Sequence, residues 1–278
     1  MTTQPDYDKL LTPIDEIITT LESVLSGAFG GLMGDQREGL KRIYALAWGL
    51  HTLFLDVVTH IGIDNIALRP YLAQKFDEHL NPLITTADNL VQGMDGPLHD
   101  EQQVGVLFIH ASGELLRRYV DNLWLYSGLL HAKYTPQKRL TTPDQFLDPM
   151  HWPVTEKPIA LDLHLPDGLP SLKVDLDLMR KALYQVIENA LHHTDSGRVL
   201  VTASADDAMF IVRVQDSGSG IASMHHQRIF EPFFQVQRDR PGLGLGLPIA
   251  LAILTLHTGQ LTLKTDTSTT VFEFSIPL

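Results

Sequence analysis

The last third of the chain contains the stretch Glu188-Asn189-Ala190-Leu191-His192-His193-Thr194, which falls on a predicted helix. Three further motifs follow it in the sequence. They are Asp216-Ser217-Gly218-Ser219-Gly220-Ile221, Ile229-Phe230-Glu231-Pro232-Phe233-Phe234 and Gly242-Leu243-Gly244-Leu245-Gly246-Leu247. Each motif alone has the composition of an ordinary helix or turn, so their order along the chain is more informative than any one of them.

The second motif begins where a predicted strand ends. Asp216 is followed by Gly218 and Gly220, and glycine lets a backbone approach a ligand closely and adopt positive φ. A carboxylate at such a turn can accept a hydrogen bond from an exocyclic amine such as that of adenine. Ordinary turns favour the same residues, so this motif alone leaves both interpretations open.

The fourth motif places glycines before a helix predicted to begin near Leu247 and Pro248. Backbone N–H groups at a helix N-terminus suit phosphate oxygens, although a flexible loop has the same composition. In the first motif, Asn189 lies among apolar helix residues. It is either a satisfied buried amide or a ligand for Mg²⁺, which prefers oxygen donors together with phosphates.

In this order, the four motifs resemble the N, G1, F and G2 boxes of the histidine-kinase ATP-binding domain, the Bergerat or GHKL fold, from about Lys173 to the C-terminus. The resemblance implies an α/β-sandwich domain that binds ATP and Mg²⁺, with Asn189 as the Mg²⁺ ligand and residues 222–241 as a mobile lid. The residues implied in nucleotide binding are Asn189, His192, His193, Asp216, Gly218, Gly220, Ile221, Arg240, Gly242, Leu243, Gly244, Leu245, Gly246 and Leu247.

Two positions depart from the family pattern. The family often has Lys where this chain has His192, which weakens one implied phosphate contact. Gln185 stands where the family often has Asn and its hydrolytic members have a catalytic Glu, and Gln cannot act as a general base. Glu188 is the remaining candidate catalytic carboxylate, but it points in another direction on the helix. Transfer to a protein side chain, or binding alone, is therefore favoured over hydrolysis.

The first half of the chain is predicted to be helical and repeated. Apolar residues recur at helical spacing from Leu10, glycines interrupt them near residues 27–34, and the plan repeats over residues 70–132. Two hairpins bury their apolar stripes by forming a four-helix bundle. The sequence thus predicts a multidomain α and α+β protein. Its predicted parts are a hairpin at 1–66, a hairpin at 67–134, a linker at 135–142 and the ATP-binding domain at 143–278.

Both hairpins resemble the dimerisation-and-phosphotransfer hairpin of histidine kinases, which carries His-Glu-x-x-x-Pro. Counting back five residues from Pro13 gives Asp8, and from Pro82 gives Asp77, so neither expected position is His. His79 is nearby and is the one candidate acceptor, but two positions along a helix place it about 200° away from Asp77. The alternative is a surface histidine near a helix N-terminus.

Composition excludes several classes of function. The net charge of −12 argues against nucleic acid and anionic membranes as main partners. The absence of cysteine excludes thiol chemistry and thiolate metal sites. No apolar run reaches the roughly 18–20 residues that span a bilayer. These features predict a cytoplasmic protein.

By resemblance, the predicted function is γ-phosphoryl transfer from ATP in two-component signalling, with a response regulator as partner. A catalytically silent ATP-binding regulator, or a kinase acting on Ser or Thr of a partner protein, are the alternatives. Because one chain carries both hairpins, we expect either an intramolecular pseudo-dimer or a homodimer through the hairpins.

Overall fold

A computed structural model describes residues 8–57, 69–131, 134–237, 242–265 and 269–278. They divide into two compact units, one ending at Ser127 and the other beginning at Gly128. The first unit is helical and the second contains mixed α/β structure. The predicted fold class is therefore confirmed, while the bounds of the four predicted segments stay predictions.

Four helices form the first unit: α1 (Asp8–Leu25), α2 (Gly34–Asp56), α3 (Arg69–Val91) and α4 (Asp100–Leu130). Each buries the apolar face that its sequence spacing predicts, because residues three and four apart share one side of a helix. The buried side chains include Leu10, Ile14, Ile17, Leu21, Leu40, Ile43, Leu50, Phe54, Phe76, Leu80, Leu83, Leu90, Val106, Ile109 and Leu116.

The two hairpins match at an offset of 66 positions, as from Gln36 to Gln102. Gly39 of α2 packs against Leu90 of α3, and the corresponding Gly105 of α4 packs against Val24 of α1. The outward residues differ between the halves. Val104, Leu107 and Phe108 of α4 are exposed, and charged residues occupy the matching places on α2, namely Glu38, Lys41 and Arg42.

Two buried glutamines join the hairpins reciprocally. The Gln36 amide donates to the carbonyl oxygens of Gly96 (3.2 Å) and Pro97 (2.9 Å), while its Oε1 accepts from the Met33 amide (2.9 Å). Gln102 repeats the pattern from the other side, since it donates to Gly31 O and accepts from the His99 amide. Each helix start is thus capped by a side chain that also holds the opposite turn.

We expect Gln36→Leu to lower the free energy of unfolding of the helical unit by about 2–3 kcal/mol, because buried backbone groups lose their partners. Hydrogen exchange of peptides from α2 and α4 measures this loss. Gln103→Leu is the control, since Gln103 is exposed beside Gln102. Equal hydrogen-exchange rates in Gln36→Leu and Gln103→Leu would contradict the role assigned to Gln36.

The second unit is built around a five-stranded sheet. Its strands are β2 (Ile159–His164), β4 (Gly197–Ala205), β5 (Met209–Asp216), β6 (Gln260–Thr265) and β7 (Thr270–Pro277). They lie in the order β2-β4-β5-β7-β6, and of the pairs in this sheet only β2–β4 is parallel. Helices α6 (Leu176–His193) and α7 (Gly246–Leu256) complete the unit with their buried apolar faces. Alternating apolar and polar residues predict five strands, and all five are present with ends shifted by at most two residues; the predicted ranges are residues 160–165, 199–205, 210–215, 261–264 and 271–276.

A smaller sheet was not predicted. Strand β1 (Arg139–Thr141) pairs antiparallel with β3 (Leu172–Val174), and a short helix, α5 (Pro143–Phe146), follows β1. The segment predicted as linker, residues 135–142, therefore contains a strand of the second unit. A three-residue strand is too short to show the alternation by which longer strands are recognised.

Candidate nucleotide-binding site

Helix α6 carries the first motif and is held at both ends. Asp175 caps its N-terminus by accepting from the Leu178 amide at 3.1 Å. At the C-terminus, the Lys157 ammonium donates to the carbonyl oxygens of Leu191, His192 and Thr194 at 2.9–3.1 Å. A cation at this end satisfies carbonyl groups that no helix bond reaches. Asn189 and Glu188 are half-buried on this fixed helix, and His192 and His193 are exposed at its end.

Asp216 ends strand β5 and is only 3% exposed. Its Oδ1 accepts from the Gly218 amide at 2.9 Å, and the Thr270 hydroxyl of the neighbouring strand β7 also donates to the carboxyl. Burial raises the pKa of Asp216 to about 6, against the lowering effect of these two donors. Thr270 is not predicted as a site residue, because strand pairing cannot be read from the alternation of a single strand.

The raised pKa of Asp216 predicts pH-dependent affinity for adenine compounds. The carboxylate is the form that accepts from an exocyclic amine, and protonation below about pH 6 replaces it. With one titrating group, adenosine affinity should fall about tenfold between pH 7.5 and pH 5. Titrations with adenosine avoid the ionisation of ATP itself. A matching pH dependence in Asp216→Asn would assign the effect to another group.

The glycines of the second motif have separate roles. A methyl group at Gly218 would overlap with the carbonyl oxygen of His193 and with Asp216, so this glycine lets the end of α6 approach the loop. Gly220 has φ of 72°, a conformation that favours glycine. Ser217 joins the loop to β4 by accepting from the Arg198 amide at 3.0 Å. The loop after Asp216 is therefore fixed before any ligand binds.

The third and fourth motifs interlock. The Phe233 amide donates to Gly244 O at 3.1 Å, and a methyl group at Gly244 (φ 66°) would overlap with the backbone of Phe233 and Phe234. Helix α7 begins at Gly246, and its N-cap residue, Leu245, makes no side-chain hydrogen bond to the first helical amides. A helix N-terminus presents backbone N–H groups and positive potential to an anion, so phosphate oxygens suit this end of α7.

The predicted lid contains two short 3-10 turns at Ser223–His225 and Arg228–Phe230. The Arg228 guanidinium lies 4.2 Å from the centre of the Phe234 ring, which His225 also contacts. These contacts fix the first part of the lid segment. Arg240, which the resemblance implies in nucleotide binding, lies outside the described residues, as does Arg238, the other arginine in this part of the predicted lid.

The candidate acceptor His79 lies on α3 in the helical unit. Its Nδ1 is 2.9 Å from Lys75 O, and a methyl group at Gly49 of α2 would overlap with the imidazole. Asp77, at the expected acceptor position, pairs with Arg117 of α4 at 3.3 Å. Asp8 begins α1. His79 is therefore half-buried, with its ring against Gly49 of α2 and its Nδ1 bonded to its own helix.

Among the described residues, no three His, Cys, Asp or Glu side chains cluster closely enough to hold a metal ion. Mg²⁺ usually takes only one or two protein ligands beside phosphates and water, so an amide such as Asn189 fits its donor preference. None of the described helices is long and apolar enough to cross a membrane.

Residues 174–278 match the family described as histidine kinase-, DNA gyrase B- and HSP90-like ATPase. The chain is 35% identical over 109 residues to the alginate biosynthesis sensor protein KinB of Pseudomonas aeruginosa, covering 39% of this chain and 18% of that protein. It is 26% identical over 242 residues to the sensor histidine kinase RppB of Synechocystis, covering 84% of this chain and 53% of RppB. The chain thus spans about half or less of these relatives' length.

Among solved structures, full-length ShkA in complex with AMPPNP matches with a TM-score of 0.64 and 26% identity, covering 76% of this chain and 45% of that chain. The Acinetobacter baumannii histidine kinase AdeS matches with a TM-score of 0.52 and 17% identity over 72% of this chain and 95% of that chain. The predicted relationship to sensor histidine kinases is confirmed by these similarities, and they support nucleotide binding by the second unit.

Proposed function

We propose that this relative of the sensor histidine kinases binds ATP with Mg²⁺ and transfers the γ-phosphoryl group in two-component signalling, with a response regulator as partner. The observation that carries the proposal is the buried Asp216 carboxyl at the end of β5. It belongs to the same unit as the helix of Asn189 and the N-terminus of α7. An amine acceptor, an oxygen ligand and an anion-binding helix end together suit an adenine nucleotide.

The residues have distinct roles in this proposal. Asp216 accepts from the adenine amine, and the N–H groups at Gly246 and Leu247 bind phosphate oxygens. Asn189 is the protein ligand for Mg²⁺, which would neutralise charge that develops on the phosphates during transfer. Gln185 cannot remove a proton from water, so the site favours transfer to a side chain over hydrolysis.

The helical unit supports an intramolecular pseudo-dimer. The reciprocal hydrogen bonds of Gln36 and Gln102 satisfy both hairpins within one chain. Light scattering tests this proposal directly, because the pseudo-dimer has the 31.0 kDa mass of one chain. A stable species of twice that mass, with helices exchanged between chains, would favour the homodimer.

The second candidate function is an ATP-binding regulator without transfer. It is favoured by the pairing of Asp77 with Arg117 where the family carries its acceptor, and by the packing of His79 against Gly49. Incubation with γ-labelled ATP and Mg²⁺ separates the alternatives. Acid-labile label indicates a phosphohistidine, acid-stable label on a partner indicates a Ser or Thr kinase, and retained ATP binding without label indicates the regulator.

A further inference from the structure

A buried histidine outside the four motifs lies at the end of α7. His257 is 3% exposed, and its Nε2 lies 3.0 Å from the backbone amide of Asp175. Since a backbone N–H can only donate, Nε2 is the acceptor and the proton resides on Nδ1. That Nδ1 donates to Ile253 O at 2.8 Å. Burial lowers the pKa of His257, which agrees with the neutral imidazole that this geometry requires.

The same contact joins three separate segments. The backbone amide of Asp175 donates to the imidazole, and one carboxylate oxygen of the same residue caps α6. Its other oxygen accepts from the Gln137 amide at 2.7 Å, in the segment just before β1. His257 therefore links the end of α7 to the start of α6 and, through Asp175, to the chain that enters the second unit.

The two linked helices run in opposite directions. At the far end of the pair, Gln185 of α6 lies against Gly246 at the start of α7, where a methyl group would approach Oε1 to 2.9 Å. Helix α7 has 11 residues, so the two contacts are separated by roughly 16 Å along its axis. Whatever fixes the position of His257 also fixes Gly246 relative to the helix that carries Asn189.

We propose that His257 is a positioning residue for phosphate binding. The hydrogen bond from the Asp175 amide prevents α7 from sliding along α6, and so holds the N-terminal amides of α7 in register with Asn189, while the bond to Ile253 O fixes the orientation of the ring on α7. This inference rests on the proposed nucleotide binding. It predicts that loss of the contact with Asp175 weakens recognition of phosphates and spares recognition of adenine, because Asp216 belongs to β5 and its loop.

The test compares the affinities for ATP and adenosine. His257→Phe keeps an aromatic ring and removes both hydrogen bonds, so ATP affinity should fall about tenfold, the equivalent of one net hydrogen bond. Adenosine affinity should stay within about twofold by the same free-energy scale. His257→Gln, whose longer amide can still accept from Asp175, should restore most of the ATP affinity. Ile253→Val is the matched control for a small change elsewhere in the buried face of α7.

Three outcomes would overturn the inference. They are an unchanged ATP affinity in His257→Phe, an equal loss of affinity for ATP and for adenosine in that variant, and no recovery of ATP affinity in His257→Gln. If His257→Phe does not fold, His257→Asn replaces it, because the shorter amide can still donate to Ile253 O but falls short of Asp175. Wild-type protein that binds no ATP would contradict the proposed function itself, whereas binding with an unchanged ATP-to-adenosine ratio in the variants contradicts only this inference.

Discussion

Asp216→Asn should weaken ATP binding by about 30- to 150-fold, because a hydrogen bond to a charged acceptor contributes about 2–3 kcal/mol. The substitution keeps the size of the side chain and removes the carboxylate that Gly218 and Thr270 surround. Calorimetric titration with ATP measures the loss. The new amide can donate as well as accept, so the ratio of GTP to ATP affinity should rise at the same time.

The control for this variant is Glu273→Gln on the neighbouring strand β7. Glu273 pairs with Arg213 and Lys264, so a carboxylate is replaced by an amide in the same sheet without changing the proposed pocket. ATP affinity should be unaffected in the control. An equal loss in both variants, or a loss in Asp216→Asn without a change in base preference, would argue against direct contact with the base.

Asn189→Ala should lower phosphoryl transfer at least about 100-fold, since loss of a metal ligand removes several kcal/mol of charge stabilisation in the transition state. Transfer of label from γ-labelled ATP in a single turnover gives the rate. Adenosine affinity should be retained, because Asn189 belongs to α6 and the adenine acceptor to β5. In the wild type Mg²⁺ should strengthen ATP binding, and the variant should lose most of that dependence.

Lys181→Gln is the control for Asn189→Ala, because Lys181 is an exposed residue of the same helix and belongs to none of the four motifs. It should keep the Mg²⁺ dependence of ATP binding. If Asn189→Ala keeps that dependence as well, the metal-ligand assignment of Asn189 is wrong.

The sequence predicts the elements of the second unit well, because each long element carries its own local signal. Alternation marks β5 and β7, and apolar spacing marks α6. Contacts between distant segments carry no such signal. Asp175 and His257 are 82 positions apart, and Asp216 meets Thr270 only because β5 and β7 pair in one particular register.

In the helical unit, too, the local elements can be predicted from the sequence and the contacts between distant segments cannot. Periodicity predicts the four helices and their buried faces, and the glycines predict the turns. Matching the hairpins by their prolines, Pro13 with Pro82, gives an offset of 69 positions, whereas the contacts of Gln36 and Gln102 give 66. By this second register His79 corresponds to Pro13. The offset of 66 describes the packing, because a buried glutamine must face the backbone groups that it satisfies, whereas a proline can occupy more than one position in a helix.

The joining of both hairpins in one chain changes how the bundle can evolve. In a two-fold symmetric assembly of identical chains, every substitution enters twice, at equivalent places on opposite sides. In the proposed pseudo-dimer a substitution enters once. Glu38 can stay charged while its counterpart Val104 is apolar, and each flank of the bundle can be selected for a different neighbour. A single gene thereby gains the freedom of a heterodimer without having to match the expression of two subunits.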